Sequence, residues 1–214
     1  MEIKKFYLKY MFEGYVDNMP QWLENVAKKE LAYIDQKGFN YLYKLLLQNR
    51  KNIKIADIGS GDCRIFKSLP NFLIKNPKIE RYAYDIFTKD ELPKHFLEFL
   101  QENNIQYHTI IRTDKYNLEL NKKFDIIICL GTDCHLTNDE AKQYIKECKN
   151  HLRKNGVLIW QILRNDTIRA NIMKYFSRIK YYTRNKNWYK EFFNDEGYKT
   201  KISKIYIYKQ IFKD

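Results

Sequence analysis

No apolar run in this sequence is long enough to cross a membrane. The longest strongly apolar stretches, such as Ile126-Ile127-Ile128-Cys129-Leu130, fall far short of the roughly 20 residues that a spanning helix needs. The basic start from Met1 to Tyr7 is followed neither by an apolar stretch of roughly 7–15 residues nor by a small-residue cleavage site, so a cytoplasmic location and no membrane partner are expected. The four cysteines, Cys63, Cys129, Cys134 and Cys148, lack C-x-x-C spacing and a matching pair of histidines, which argues against both disulfides and a metal site. Internal repeats and low-complexity linkers are also missing. With 44% hydrophobic and 16% aromatic residues in short blocks, the 214-residue chain reads as one globular domain with an appended segment.

Charge is plentiful and unbalanced. Thirty-nine Lys and Arg against 26 Asp and Glu give a formal net charge of +13, and clustered basic residues would neutralise the phosphates of a nucleic acid. Here they are scattered, with no block of five or six. Lys, Asn, Ile and Tyr, all encoded by A/T-rich codons, are abundant together, so base composition accounts for much of the excess. The charge gives mild support for an anionic substrate.

Residues 1–50 read as a helical cap or lid packed on the same domain. Pro20 opens a helix whose apolar positions Leu23, Val26, Ala27, Leu31 and Ile34 follow helical spacing, and Gly38 ends it. Residues 51–214 read as the core. Strands are predicted at Ile53 to Asp57, Tyr82 to Tyr84, Tyr107 to Ile111, Phe124 to Leu130 and Gly156 to Leu163. Helices fall between them at Arg64 to Leu69, shortened or kinked by Pro70, at Leu92 to Glu102 and at Asp139 to Leu152. The last carries the capping-box pattern Thr137-x-x-Glu140. A helix from Trp188 to Glu196, closed by Gly197, precedes two strands, Tyr198 to Ile202 and Ile205 to Phe212. This alternation gives an α/β fold: a Rossmann-like, mostly parallel sheet with helices on both faces and a C-terminal antiparallel hairpin. Ligands of such sheets bind at the carboxyl ends of the strands where the strand order reverses.

The turn Asp57-Ile58-Gly59-Ser60-Gly61-Asp62 offers bare backbone at two places, so a ligand can approach the main chain. It lacks the third small residue of a dinucleotide fingerprint, since Arg64 stands there, and it lacks the G-K-[ST] of a phosphate-binding Walker loop. Alone, such a turn equally fits an ordinary strand-to-helix connection. Asp85 changes the balance: it ends the next predicted strand, 24 positions after Gly61 (85 minus 61), where a carboxylate can accept hydrogen bonds from both ribose hydroxyls of an adenosine ligand. As a bare strand end, it would be a turn residue.

Ile55-Ala56-Asp57-Ile58-Gly59-Ser60-Gly61-Asp62 followed by Tyr84-Asp85 resembles the first two motifs of class I S-adenosylmethionine-dependent methyltransferases. Phe124 to Gly131 is similar to the family's fourth motif, Leu152 to Leu158 to the helix-turn-strand after it, and Phe192 to Tyr198 to the segment before its terminal hairpin. The resemblance implies S-adenosylmethionine as cofactor. It places Gly59, Ser60 and Gly61 against the methionine part, Asp57 ordering the loop, Asp85 with Ile86 at the ribose, Asp114 at the adenine amino group, and Leu130 and Gly131 beside the sulfonium. Asp114 equally fits a loop cap.

Methyl transfer is an in-line displacement that positioning at about 3–3.5 Å largely accelerates, and a hydroxyl acceptor also needs its proton removed. The loop Thr132-Asp133-Cys134-His135-Leu136-Thr137 supplies His135 as base or substrate orienter and Asp133 as the second choice; His135 equally fits a loop histidine that only caps or packs. Tyr15, among the N-terminal aromatics, and Arg164 and Arg169, after the fifth strand, are candidates to hold the acceptor. The aromatics equally fit a seal over one end of the sheet, and the arginines a solvated face. The acceptor expected is a small polar or anionic metabolite methylated on oxygen. An RNA or tRNA substrate and a non-catalytic cofactor-binding module are the rivals; the Asn/Asp-Pro-Pro-Tyr/Phe motif of many amino-methylating enzymes is replaced by Leu130-Gly131-Thr132-Asp133.

Overall fold

The computed structural model describes residues 51–69, 71–110, 118, 120–161, 165, 182–195, 197, 201–202 and 206–208. They form strand β1 (Ile53–Ile58), helices α1 (Arg64–Ser68) and α2 (Asn71–Ile74), strand β2 (Ile79–Asp85), helix α3 (Lys94–Glu102), strands β3 (Ile105–Thr109) and β4 (Phe124–Cys129), helix α4 (Asn138–His151), strand β5 (Leu152–Gln161), helix α5 (Lys186–Asp195) and short strands β6 (Lys201–Ile202) and β7 (Tyr206–Tyr208). The N-terminal cap expected over residues 1–50 lies outside the described residues. No helix among the described residues is long and apolar enough to cross a membrane.

The seven strands lie in the order β3-β2-β1-β4-β5-β7-β6. Strands β1 to β5 are parallel, whereas β7 runs antiparallel to β5 and β6 antiparallel to β7. Successive strand residues face opposite sides, and both sides are filled. Ile53, Ile55, Ile126 and Ile128 pack with Phe66, Leu73 and Phe96 on one face; Ala56, Ile58, Ile127 and Cys129 pack with Tyr144, Ile145, Tyr189 and Phe193 on the other. Burial on both faces is why β4 carries the continuous apolar run from Ile126 to Cys129. The helices after β1 and β2 therefore cover one side, and α4 and α5 the other.

Helix α4 starts where its capping box places it. The Thr137 hydroxyl accepts from the Glu140 N–H at 3.3 Å, and the Glu140 carboxylate accepts from the Thr137 N–H at 2.7 Å. Helix α1 ends at Ser68 and α2 begins at Asn71, on either side of Pro70. Arg64 does not disturb the helix packing: its side chain is 52% exposed and pairs with Asp62 at 3.6 Å. Several boundaries shift from the sequence reading. Strand β3 begins at Ile105, and β5 begins at Leu152 and pairs with β4 through a register shift between Phe124 and Ile126. Arg153 at that irregularity donates to the buried Asp125 carboxylate at 2.8 Å, an anchor that apolar periodicity does not reveal.

Candidate active site

The strand order reverses between β1 and β4, so their carboxyl ends open a crevice. The turn after β1 enters it through left-handed backbone at Gly59 (φ 69°), Gly61 (φ 53°) and Cys63 (φ 55°). The N–H groups of Gly59 and Ser60 donate to the Tyr84 carbonyl at 2.7 and 3.1 Å, tying the turn to the end of β2. From the other side Thr132 donates its hydroxyl to the Ile58 carbonyl at 3.3 Å. A Cβ at Gly59 would fall 1.8 Å from that Thr132 oxygen. Glycine is therefore required there both by the backbone conformation and by the close approach of the post-β4 loop.

Asp85 closes the turn. One of its carboxylate oxygens accepts from the Gly61 N–H at 2.6 Å and the other from the Ile86 N–H at 2.7 Å. The sequence-predicted residues Gly59, Ser60, Gly61, Asp85 and Ile86 thus meet at one spot. Asp57 lies beneath them, 2% exposed. Its Oδ2 and the Ser60 Oγ are buried with no hydrogen-bond partner among the described residues. Burial, and then the neighbouring charges of Asp85 and Asp62, push the Asp57 carboxyl well above its ordinary range. Unsatisfied buried acceptors are costly, and grouped carboxylates disfavour each other's ionisation. A ligand carrying positive charge and hydroxyl or ammonium donors relieves both costs, which is the chemistry of S-adenosylmethionine, and the residues present fit it.

Across the crevice, Leu130 is partly buried and Gly131 (φ 74°) is exposed. Residues Asp133–His135 form a 3-10 turn. Asp133 is 1% exposed, and both of its oxygens are engaged: one accepts from Trp160 Nε1 at 3.1 Å and lies 3.1 Å from Arg184 Nη1, and the other accepts from the Tyr189 hydroxyl. His135 is partly buried, and burial lowers its imidazole pKa to about 4. The Cys134 thiol donates to the Gly131 carbonyl at 3.1 Å, and burial pushes its pKa far up, so it offers no thiolate. Arg184, 4% exposed, is the participant that the sequence reading missed. It sits in a polar stretch with no periodicity, and its partners lie 46 to 51 positions away, so no local signal could have found it. Asp114, Tyr15, Arg164 and Arg169 lie outside the described residues.

A parallel sheet with a glycine turn at its order reversal defines a Rossmann-like nucleotide-binding architecture. Residues 56–160, from β1 to β5, match the family described as methyltransferase domain, in keeping with the resemblance to class I S-adenosylmethionine-dependent methyltransferases. Magnesium protoporphyrin IX methyltransferase from Synechocystis PCC 6803, solved with bound SAH, matches with a TM-score of 0.62 at 15% identity over 98% of this chain and 100% of that one. The 1,6-didemethyltoxoflavin-N1-methyltransferase of Burkholderia thailandensis, with 1,6-didemethyltoxoflavin and S-adenosylhomocysteine bound, matches with a TM-score of 0.55 at 12% identity over 93% of each chain. At these identities the likeness bears on the fold. A polyamine aminopropyltransferase of Buchnera aphidicola subsp. Acyrthosiphon pisum is 29% identical over 143 residues, 60% of this chain and 49% of that protein. The chain spans about half the length of the curated relatives it matches.

Proposed function

We propose that the protein transfers a methyl group from S-adenosylmethionine, held at the carboxyl ends of β1 and β2, to a small polar or anionic acceptor bound beside His135. The observation that carries the cofactor assignment is the pair of buried, unpartnered acceptors, Asp57 Oδ2 and Ser60 Oγ, under a glycine turn at the order reversal. When bound, the cofactor supplies an electrophilic methyl on a sulfonium. Gly59, Ser60 and Gly61 admit it to the backbone, and Asp57 compensates its positive charge. Asp85, with Ile86 beside it, faces the ribose hydroxyls and exchanges its contact with the Gly61 N–H for theirs. Leu130 and Gly131 line the side from which the acceptor approaches, and Asp114 takes the adenine end.

His135 has two candidate roles, and its electrostatics separate them. An imidazole with a pKa of about 4 is neutral at physiological pH but a weak base, and proton transfer is most efficient when the base's pKa lies near the operating pH. This supports His135 as an orienting hydrogen-bond acceptor for an acceptor hydroxyl. The engagement of both Asp133 oxygens supports an anchoring role for that residue. The acceptor's class rests on the net charge of +13 and on fold neighbours named for magnesium protoporphyrin IX and 1,6-didemethyltoxoflavin. Tyr15, Arg164 and Arg169 are the residues proposed to grip it.

The likeness to polyamine aminopropyltransferases favours a second reading, in which the acceptor is an amine. Radiolabelled S-adenosylmethionine, tritiated in the methyl group, separates these readings when supplied with the dialysable fraction of a cell extract, with bulk RNA or with polyamines. Label entering an anionic component of the dialysable fraction is expected. Label in RNA or in polyamine alone would overturn the small anionic acceptor.

A further inference from the structure

We propose that Arg184 is a positioning residue for methyl transfer, whose buried guanidinium fixes the post-β4 loop and with it His135. This inference rests on the proposal that the acceptor binds beside His135. The guanidinium is bounded by five acceptors on that loop and the first residue of α4: Nε donates to Asn138 Oδ1 at 2.9 Å, Nη1 lies 3.2 Å from the Asp133 carbonyl and 3.1 Å from its carboxylate, and Nη2 donates to the carbonyls of Leu136 at 2.5 Å and Thr137 at 2.9 Å. These acceptors flank His135 on both sides along the chain. The planar fork of arginine, with five N–H donors, matches them one for one. A lysine has one nitrogen with three donors and cannot span three carbonyls and two side chains.

The same arginine is itself held. Its guanidinium carbon lies 4.9 Å from the centre of the Trp188 ring, and its carbonyl accepts from the Asn165 N–H at 3.1 Å. Two residues earlier, the Tyr182 N–H donates to the Cys134 carbonyl at 2.8 Å. The chain leaving β5 and the chain entering α5 are therefore joined to each other and to the loop at the crevice. Taking a charge out of water is costly unless it is paired and its hydrogen bonds are satisfied. A pair serving stability alone could be replaced by apolar packing at little loss. Here the fork instead sets the path of backbone that also reaches Thr132, the residue against which Gly59 is fitted.

The test uses the full chain with Arg184→Lys and Arg184→Gln. Three readouts are taken: S-adenosylhomocysteine affinity by calorimetry, thermal unfolding, and the NMR titration of the His135 ring. Lysine keeps a positive charge beside Asp133, so a change in that variant reports altered access of solvent to the ring rather than a changed field. The expected result in Arg184→Lys is an affinity within about threefold of the wild type and a His135 midpoint that rises from about 4 by at least about one unit, toward the ordinary value. Arg184→Gln is expected to raise it further. A lowered melting temperature with the His135 titration unmoved in Arg184→Lys would overturn the proposal and leave a merely structural pair. Loss of cofactor affinity in Arg184→Lys would overturn it too, by assigning the residue to the cofactor side. Failure of the wild type to bind S-adenosylhomocysteine would count against the cofactor assignment instead, and the His135 titration would still decide the role of Arg184.

Discussion

At the scale of single residues, Asp57 carries opposed demands. Ligand-free, it is a buried carboxyl beside Asp85 and Asp62, with its titration raised well above the ordinary 3.8. Between the unfolded and folded values, the folded state keeps a proton that the unfolded state has released. That contribution to stability is fully present below the unfolded value and is lost as pH rises through the folded one. Asp57→Asn should therefore make the ligand-free protein less sensitive to pH and raise its melting temperature relative to wild type at about pH 8 more than at about pH 5. The same change should weaken S-adenosylmethionine binding by calorimetry. A variant that binds as well as wild type would remove Asp57 from the cofactor site. The sequence made Gly59, Gly61 and Asp85 legible because one local turn and one strand end carry them. It could not show that Asp133 would be enclosed by Trp160, Arg184 and Tyr189, since those partners are 27, 51 and 56 positions away and arrive only when β5 and α5 pack.

At the scale of elements, what could be read depended on where each signal originates. Helix α4 was legible to within a residue, because its start is written in the local pair Thr137 and Glu140 and its buried face in Ala141, Tyr144, Ile145 and Cys148. Strand β4 was legible because burial on both faces leaves the apolar run Ile126 to Cys129, and β1 because its apolar residues run straight into the glycine turn. Strand β2 extends beyond the predicted Tyr82 to Tyr84, over Ile79–Asp85. Polar Glu80 and Arg81 break its apolar pattern, and Arg81 is buried by donating to the Leu73 and Asn76 carbonyls at 3.0 and 3.1 Å. The 3-10 turn at Asp133–His135 has no periodic signature either, being shaped by tertiary hydrogen bonds. Because the α4 cap is local, Thr137→Ala should cost about 1 kcal/mol of stability in urea unfolding. A loss well below that would mean that the cap contributes little beside the packing of the helix face.

Over the whole molecule, a strongly basic chain holds a local concentration of acid. Against a net charge of +13, Asp57, Asp62 and Asp85 gather at the one turn where the sheet order reverses. Such a contrast suits the proposed binding of a cationic cofactor inside and of an anionic acceptor drawn to the surrounding surface, an attraction that salt would screen. Asp85 is the residue through which the turn, the end of β2 and the proposed ribose contact meet. Calorimetric titration of the purified protein with S-adenosylhomocysteine, beside Asp85→Ala, is the direct measurement. Micromolar binding weakened at least tenfold in the variant, about 1.4 kcal/mol, is the predicted result; no binding by the wild type, or equal binding by the variant, would contradict the placement of the cofactor in this turn.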